Sequence, residues 1–451
     1  MICPNCGSGD FVYMWSIGSA HLSHCSGCGL VHGDWRGEEI HQAAAATQKD
    51  WDEIRGLVSA RLAHGDALVV REGAATRAFA STTGRPRIVD LEGLSHLPAG
   101  TRFPTVLVLS TVAAVDDPVA TLCALGERLT SGGLLIVSLR TIEGNGSGRI
   151  GRHAHEWRTP ARWHFTRQTL TLALLRAGFG RIWIRSNGAG RMTASAEMAP
   201  PRKVPRLSVI VPVFNEARTC ATLLDRVFAK ELPGLEKEVV VVESNSTDGT
   251  RAIVEGYRDA PGARLLFEDR PRGKGHAVRA GLAQATGDIV LIQDGDLEYD
   301  IDDYELLLKP LLEWEALFVL GSRHSGDWKM RVFNDAPLAA AVFNLGHLFY
   351  TWLVNTALRT EMTDPFTMFK VFRRDCLYGL AFEGRRFDFD FELVMKLVRK
   401  GFIPRELPVN YNARSFTEGK KVSFFRDGLS WVGVVLKHHV GSLGPADTDR
   451  F

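Results

Sequence analysis

The sequence predicts an α/β protein in three parts, and three observations carry that prediction. Two series of apolar runs alternate with stretches of helical periodicity, one before and one after residue 200, as in sheets with helical crossovers. A Pro-, Gly- and Ser-rich stretch, "SNGAGRMTASAEMAPPRKVPR" (186–206), separates them. Ahead of both lie two paired cysteines, "CPNCG" and "CSGCG".

Composition sets the frame. With 451 residues, 45% hydrophobic and 24% charged, the chain is long enough for two or three cores. A net charge of +2 gives no bulk attraction to nucleic acid, so no nucleic-acid partner is expected and any basic site must be local. The start "MICPNCGSGD" has no charged segment followed by an apolar one, so the reading is a cytoplasmic protein.

The first part spans residues 1–34. Cys3, Cys6, Cys25 and Cys28 follow C-x2-C-x18-C-x2-C, which supplies four thiolates for a closed, structural zinc site. Cys123, Cys220 and Cys376 are scattered among apolar neighbours and read as small buried hydrophobes.

The second part, 35–190, carries apolar runs at 67–70, 87–91, 105–110 and 133–139. The stretches "DDPVATLCALGERLTSGGLLIVSL" and "RWHFTRQTLTLALLRAGF" resemble the later strands and helices of class I S-adenosylmethionine methyltransferases, in particular those with an N-terminal zinc ribbon. The segment after the first strand, "VVREGAATRAF", departs from that family's Gly-x-Gly turn, since Ala74 and Ala75 restrict the backbone where close approach to a cofactor is needed. Asp90 or Glu92 remain candidates for ribose hydroxyls, but the domain reads as degenerate and S-adenosylmethionine is not expected to bind. Residues 191–206 read as linker.

The third part runs over 207–441, with 442–451 as a tail. Its apolar strands each deliver polar residues at the carboxyl end, where open α/β sheets bind ligands. "LSVIVPVFNE" ends in Pro212, Asn215 and Glu216. "EVVVVESNSTDGT" ends in Glu243, with Ser246 and Asp248 placed to cap the next helix. "RPRGKGHAVRAGL" puts Lys274 between two glycines at a helix start, a possible anion site. "GDIVLIQDGDLEYD" places Asp294, Asp296, Glu298 and Asp300 at alternate positions. Asp294-Gly295 would suit a hairpin turn, but "DIDDYELLLKPLLEW" has helical spacing, which leaves strand, acidic loop and helix. In "FDFDFE", Asp388, Asp390 and Glu392 alternate and read as one face of a strand.

Ala336 to Leu358 runs 23 residues without Asp, Glu, Lys or Arg. Asn344, His347, Thr351 and Asn355 share one helical face, so the reading is an amphipathic helix packed in the protein or lying on a membrane surface. His347 reads as a member of that polar stripe, not a ligand.

Together with "VLGSRH", "TDPFTMFKVFRR" and "NARSFTEGKKVSFFRDG", these blocks resemble glycosyltransferase family 2, its GT-A (Rossmann-like) fold and its dolichyl- and polyprenyl-phosphate branch. The resemblance implies an inverting, metal-dependent transfer of a sugar from a nucleotide-sugar donor to a polyprenyl-phosphate or glycan acceptor. It makes "QDGD" a D-x-D motif, with Asp294, Asp296 and Glu298 as ligands to Mg²⁺ or Mn²⁺. Pro212, Asn215, Glu216, Glu243, Asp248 and Lys274 would line the donor pocket. Arg323 would meet an acceptor phosphate, and Arg414, Lys420 and Lys421 would close over the diphosphate. Asp390 and Glu392 are the candidates for a general base with a hydroxyl acceptor; a phosphate acceptor needs none. Peripheral contact with the cytoplasmic membrane face would follow from a lipid acceptor. Two other readings are a bifunctional enzyme with an active methyltransferase domain and a zinc-ribbon scaffold or binding protein.

Overall fold

In the computed structural model, the described residues are 1–17, 20–35, 40, 67–71, 87–143, 160–186, 190–199, 204–324, 337–386, 388–412, 433, 435 and 437. The chain divides into two compact units, built mainly on Met1–Pro201 and on Arg202–Leu312 with Ala316–Asp447.

In chain order the first unit holds β1 (Phe11–Ile17), β2 (Ala20–Cys25), β3 (Val31–Gly33), β4 (Ala67–Arg71), β5 (Arg87–Val89), α1 (Leu91–Ser95), β6 (Phe103–Leu109), α2 (Pro118–Gly126), β7 (Leu129–Arg140), β8 (Trp163–His164), α3 (Arg167–Arg176), β9 (Phe179–Ser186) and β10 (Arg191–Met198). Strands β4 to β7 fall on the four apolar runs. Local chemistry sets the helix starts: Asp117 caps α2, with Pro118 at its first position, and Thr166 with Thr169 forms a capping box on α3.

The six-stranded sheet has the order β5-β4-β6-β7-β10-β9. Its first four strands are parallel, and β10 runs antiparallel to both neighbours. The expected linker of 191–206 is therefore corrected. "RMTASAEM" alternates small residues that pack between two strands, a pattern whose low hydrophobicity hid it. The expected boundary at residue 34 moves too, because β8 pairs with β3 in the sheet β1-β2-β3-β8. The Asn5 side chain also donates to the Thr169 carbonyl at 2.8 Å, and Arg176 donates to that of Pro4 at 2.9 Å. Cys123 is exposed, unlike Cys220 and Cys376, which are buried as expected.

The second unit holds β11 (Arg206–Val213), α4 (Cys220–Ala229), β12 (Glu236–Glu243), α5 (Thr250–Glu255), β13 (Ala263–Phe267), α6 (Lys274–Gln284), β14 (Ile289–Ile292), α7 (Tyr304–Leu312), β15 (Phe318–Ser322), α8 (Pro337–Leu358), β16 (Lys370–Arg373), α9 (Asp388–Arg399) and β17 (Arg405–Pro408). The sheet order is β13-β12-β11-β14-β16-β15-β17. Strands β13, β12, β11 and β14 are parallel, whereas β16 is antiparallel to β14 and β15. Val209, Val211, Val239, Val241, Ile289 and Leu291 are buried together with Leu223, Leu224 and Leu307. Each such side chain contributes about 1.5–3 kcal/mol by leaving water.

At the amino rim of this sheet, the buried Glu238 carboxylate accepts from Ser208 Oγ (2.5 Å), Thr286 N (2.6 Å) and Gly287 N (3.1 Å), tying β11 and β12 to the entry of β14. The opposite rim is where β11, β12 and β14 release their loops.

One expectation about local structure fails. Asp388, Asp390 and Glu392 lie on helix α9, not on a strand. "FDFDFE" alternates, but "LVMKLV" continues with i, i+4 spacing, and the longer period wins. Asp388 and Glu392, four residues apart, therefore share one side of the helix, and Asp390 faces away from them.

Candidate active site

The carboxyl ends of β11, β12 and β14 meet because the strands are parallel neighbours in register, with Val213 opposite Glu243 and Ile210 opposite Ile292. Asn215, at φ +50, turns the chain after β11. Its backbone N–H donates to Ser246 Oγ (2.9 Å), and its side-chain oxygen accepts from Thr247 N (2.9 Å). Asp248 accepts from the Ala217 and Thr250 backbones, both at 3.0 Å, and from the Thr250 hydroxyl at 2.6 Å. Burial pushes its carboxyl up, but these donors hold it below its ordinary range. Asp248 therefore fastens the two loops together. Pro212 lies opposite Val242 in the β11 ladder, and Glu216 N–H donates to Thr250 Oγ1 at 2.9 Å.

Glu243 is fully buried at the end of β12. Its Oε1 accepts from Ser246 N at 2.6 Å, while Oε2 has no hydrogen-bond partner among the described residues and lies 3.7 Å from Arg251 Nε. A buried carboxylate oxygen without a donor is costly, so this one is suited to receive an N–H or O–H from a ligand.

The acidic loop follows β14. A Cβ at Gly295 would stand 2.6 Å from Val213 Cγ1, so only glycine fits between Asp294 and Asp296. Lys274, the first residue of α6, bonds Asp294 Oδ1. Burial lowers the Lys274 pKa, but Asp294, Asp390 and Asp296 more than compensate and hold the ammonium charged. The flanking glycines serve packing: a Cβ at Gly273 would stand 2.5 Å from Arg385 O, and one at Gly275 2.5 Å from Phe389 Cβ. Asp296 accepts from Glu298 N at 3.3 Å, and Glu298 Oε2 accepts from the Tyr411 hydroxyl at 2.7 Å. Asp300 caps the turn into α7 and pairs with Arg226 at 2.7 Å, separate from the loop's chemistry.

Of the two base candidates, α9 brings only Asp390 to this place. Asp390 Oδ1 lies 3.7 Å from Nζ of the fully buried Lys370. Burial raises the Asp390 carboxyl, opposed by Lys370 and Lys274. Glu392 is engaged elsewhere. It accepts from Gly384 N at 2.7 Å, Glu383 N at 3.0 Å and Lys396 Nζ at 2.5 Å, which makes it a clamp on the 383–384 turn. The expected role of Glu392 as a base is not supported by that geometry.

Arg323 follows β15. Its Nε and Nη2 donate to Asp364 Oδ2 and Oδ1 at 2.7 and 2.8 Å, and its backbone N–H donates to Oδ2 at 3.0 Å. Its guanidinium carbon lies 5.2 Å from the Tyr411 ring centroid. Tyr411 thereby joins the acidic loop to Arg323. His324 and His347 pack beside this pair, with ring centroids 4.5 Å apart. Their nitrogens and an Asp364 oxygen lie within 4.8 Å of one another. Sequence reasoning missed Tyr411, Asp364 and Lys370 as site neighbours. Asp364 and Lys370 sat inside a quoted motif, but nothing in the local pattern marked Tyr411. Arg414, Lys420 and Lys421 lie outside the described residues.

Residues 208–379 match the family described as glycosyl transferase family 2. The second unit carries a family 2 glycosyltransferase domain. Among curated relatives of this domain, a dolichyl-phosphate beta-glucosyltransferase of Trichomonas vaginalis is 27% identical over 52% of this chain and 75% of its own. A dolichyl-phosphate beta-glucosyltransferase of Drosophila melanogaster is 34% identical over 42% of this chain and 61% of its own. An undecaprenyl-phosphate 4-deoxy-4-formamido-L-arabinose transferase of Sodalis glossinidius is 24% identical, covering 49% and 65%. Among solved structures, glucosyl-3-phosphoglycerate synthase of Mycobacterium tuberculosis has a TM-score of 0.40 at 22% identity, covering 53% of this chain and 81% of that one.

The four N-terminal cysteines form a second cluster, in the first unit. Cys3 Sγ lies 3.5 Å from Cys28 Sγ, and Cys6 Sγ lies 3.4 Å from Cys25 Sγ. Four sulfurs about 2.3 Å from zinc have edges of roughly 3.8 Å, so this donor set fits a tetrahedral Zn²⁺. In the same unit, Asp90 caps α1 by accepting from Gly93 N at 2.7 Å, and is thereby engaged.

Proposed function

We propose that the second unit transfers a sugar, with inversion, from a nucleotide-activated donor to the phosphate of a polyprenyl carrier. The observation that carries this reading is the convergence of Glu243, Lys274, Asp294 and Asp296 at one rim of the sheet, next to Arg323 through Tyr411. Hexosyl transfer is the type that the names of the relatives support.

Asp294 and Asp296, with Glu298 beside them, would hold Mg²⁺ or Mn²⁺, hard cations that take carboxylate oxygens. Such a cation supplies charge neutralisation for the departing nucleoside diphosphate. Glu243 Oε2 would accept from the base or ribose, with Pro212, Asn215 and Glu216 forming the wall beside it and Asp248 bracing the loops. Lys274 would meet the diphosphate. Arg323, locked fork-to-fork on Asp364, is held ready for the acceptor anion. A phosphate oxygen is already a nucleophile, so Asp390 has no proton to remove and its part is to hold Lys274 and Lys370 in place.

Helix α8 supports a lipid acceptor. Leu345, Leu348, Phe349 and Trp352 are exposed at i, i+3, i+4 and i+7 and form one apolar stripe. We read it as lying on the bilayer surface at the cytoplasmic face. Among the described residues no helix is long and apolar enough to cross a membrane.

For the first unit we propose a zinc ribbon on Cys3, Cys6, Cys25 and Cys28, joined to a methyltransferase-like α/β domain. The antiparallel strand β10, inserted beside the edge of an otherwise parallel sheet, supports that second reading.

The test of the transferase reading is a thermal-shift screen of nucleotide sugars with Mn²⁺, followed by transfer to a polyprenyl phosphate. One donor should stabilise the protein only with metal present. Absence of metal-dependent stabilisation by every donor, together with no transfer, overturns it.

A further inference from the structure

The cluster beyond Arg323 has a chemistry that the donor site does not use. His324 lies two residues beyond β15, His347 comes from α8, and Asp364 lies in the loop before β16. Three separate elements thus bring two imidazoles and a guanidinium together around one buried carboxylate. His347 is further fixed by an edge-on contact with Phe366, with centroids 5.2 Å apart at 84°.

Two imidazoles and a carboxylate at this spacing could suggest a transition-metal site. The hydrogen bonds argue against it. The Asp364 carboxylate is already neutralised by three donors of Arg323, and a cation would sit against a buried guanidinium. Arg323 has one terminal nitrogen left, Nη1, with no partner among the described residues. A rigid guanidinium with one open nitrogen, flanked by two imidazoles that can each present an N–H, is a receptor for a tetrahedral oxyanion.

We propose that His324 and His347 complete a phosphate-monoester subsite with Arg323 and select a phosphorylated acceptor over a hydroxyl one. The inference rests on the transferase reading above and names the group that its acceptor presents. Tyr411, hydrogen-bonded to Glu298 and in contact with Arg323, sets this subsite beside the acidic loop. In the reaction, one monoester oxygen forms the new bond to the anomeric carbon. The bond from that carbon to the diphosphate breaks, and its electron pair leaves with the nucleoside diphosphate. No proton moves, so the imidazoles bind and orient without acting as bases. Because His347 shares α8 with the exposed apolar stripe, the helix that holds the phosphate also carries the surface for a lipid tail.

The test is calorimetry on the full-length chain with farnesyl phosphate, inorganic phosphate and farnesol, for the wild type, His324→Gln and His347→Gln. Each substitution should weaken farnesyl phosphate binding about tenfold or more, the scale of a lost charge-assisted hydrogen bond. Binding of the nucleoside diphosphate with Mn²⁺ should not change, and the acceptor KM should rise more than kcat falls. Inorganic phosphate binding as tightly as farnesyl phosphate marks a free phosphate as the source, while a strong preference for farnesyl phosphate marks a lipid headgroup; both support the subsite. If a variant does not fold, ¹⁵N-imidazole resonances of the wild type serve instead, and two histidines should shift on adding farnesyl phosphate. Unchanged affinities or unshifted resonances overturn the proposal, as does uptake of Co²⁺ that depends on both histidines. Failure of every nucleotide to bind would instead count against the transferase reading, since the phosphate arms are scored without donor.

Discussion

The Lys274 ammonium rests on the Asp294 carboxylate, joining the start of α6 to the first acid of the loop after β14. The pair is neutral as it stands. A divalent cation arriving alone would meet that ammonium, whereas a donor brings a diphosphate to receive it. Lys274→Met should weaken binding of the nucleoside diphosphate with Mn²⁺ about 10- to 100-fold, the range of a charge-assisted hydrogen bond. It should also strengthen binding of Mn²⁺ alone. Calorimetry with the metal, the nucleotide and both together reads the two effects separately.

Asp294→Asn and Asp296→Asn remove charge while keeping shape. Each is expected to lower kcat by about 100- to 1000-fold, as for other groups that stabilise charge developing in a transition state. The melting temperature of Asp296→Asn should stay near that of the wild type, whereas Asp294→Asn, which removes a partner of the buried Lys274 ammonium, should melt lower. A folded Asp294→Asn variant with full transfer activity would refute the D-x-D assignment.

Asp364 and Arg323 give a pH dependence with a definite sign. Burial raises the Asp364 carboxyl, but the Arg323 guanidinium outweighs it and holds the group well below the carboxylate range. Its contribution to stability is therefore complete above the unfolded value of about 3.9 and is lost as pH falls through the folded value. Asp364→Asn should cost about 3–5 kcal/mol at pH 7, the penalty of stranding a buried partner. Denaturant titrations at falling pH should show the gap between wild type and variant closing.

Much of this arrangement was legible in the sequence, because it depends on short-range patterns. Apolar runs placed β4 to β7 and β11, β12 and β14, and the polar residues that ended them fell at one rim. What escaped notice depended on long-range contact. Tyr411 is a lone aromatic 113 positions from its partner Glu298, and no local pattern links the two. Strand β10 has the composition of a linker because a sheet interior can be filled by alanine, serine and threonine when its neighbours are bulky. The start of helix α9 has the alternation of a strand, and six residues are too few to decide between two periods.

The cysteine cluster predicts one zinc per chain. Cys6→Ser should release it to a colorimetric chelator and expose Met1–Cys28 to limited proteolysis, since a four-thiolate site contributes its binding energy to folding. Retention of stoichiometric zinc by that variant would count against the tetrahedral site.

The exposed stripe on α8 is open to a direct measurement. Leu345→Ser with Trp352→Ser should weaken co-sedimentation with anionic phospholipid vesicles by at least about tenfold, since even half-burial of two apolar side chains contributes about 1.5–3 kcal/mol. Transfer to a water-soluble, short-chain acceptor should be unaffected.

Glu238 lies at the rim of the sheet opposite Glu243 and Asp294, yet its carboxylate holds Ser208, Thr286 and Gly287 and so governs how β11, β12 and β14 are aligned. Any survey that ranks substitutions by turnover alone would score Glu238→Gln beside Asp296→Asn. Only a melting curve would tell a broken keystone from a missing ligand.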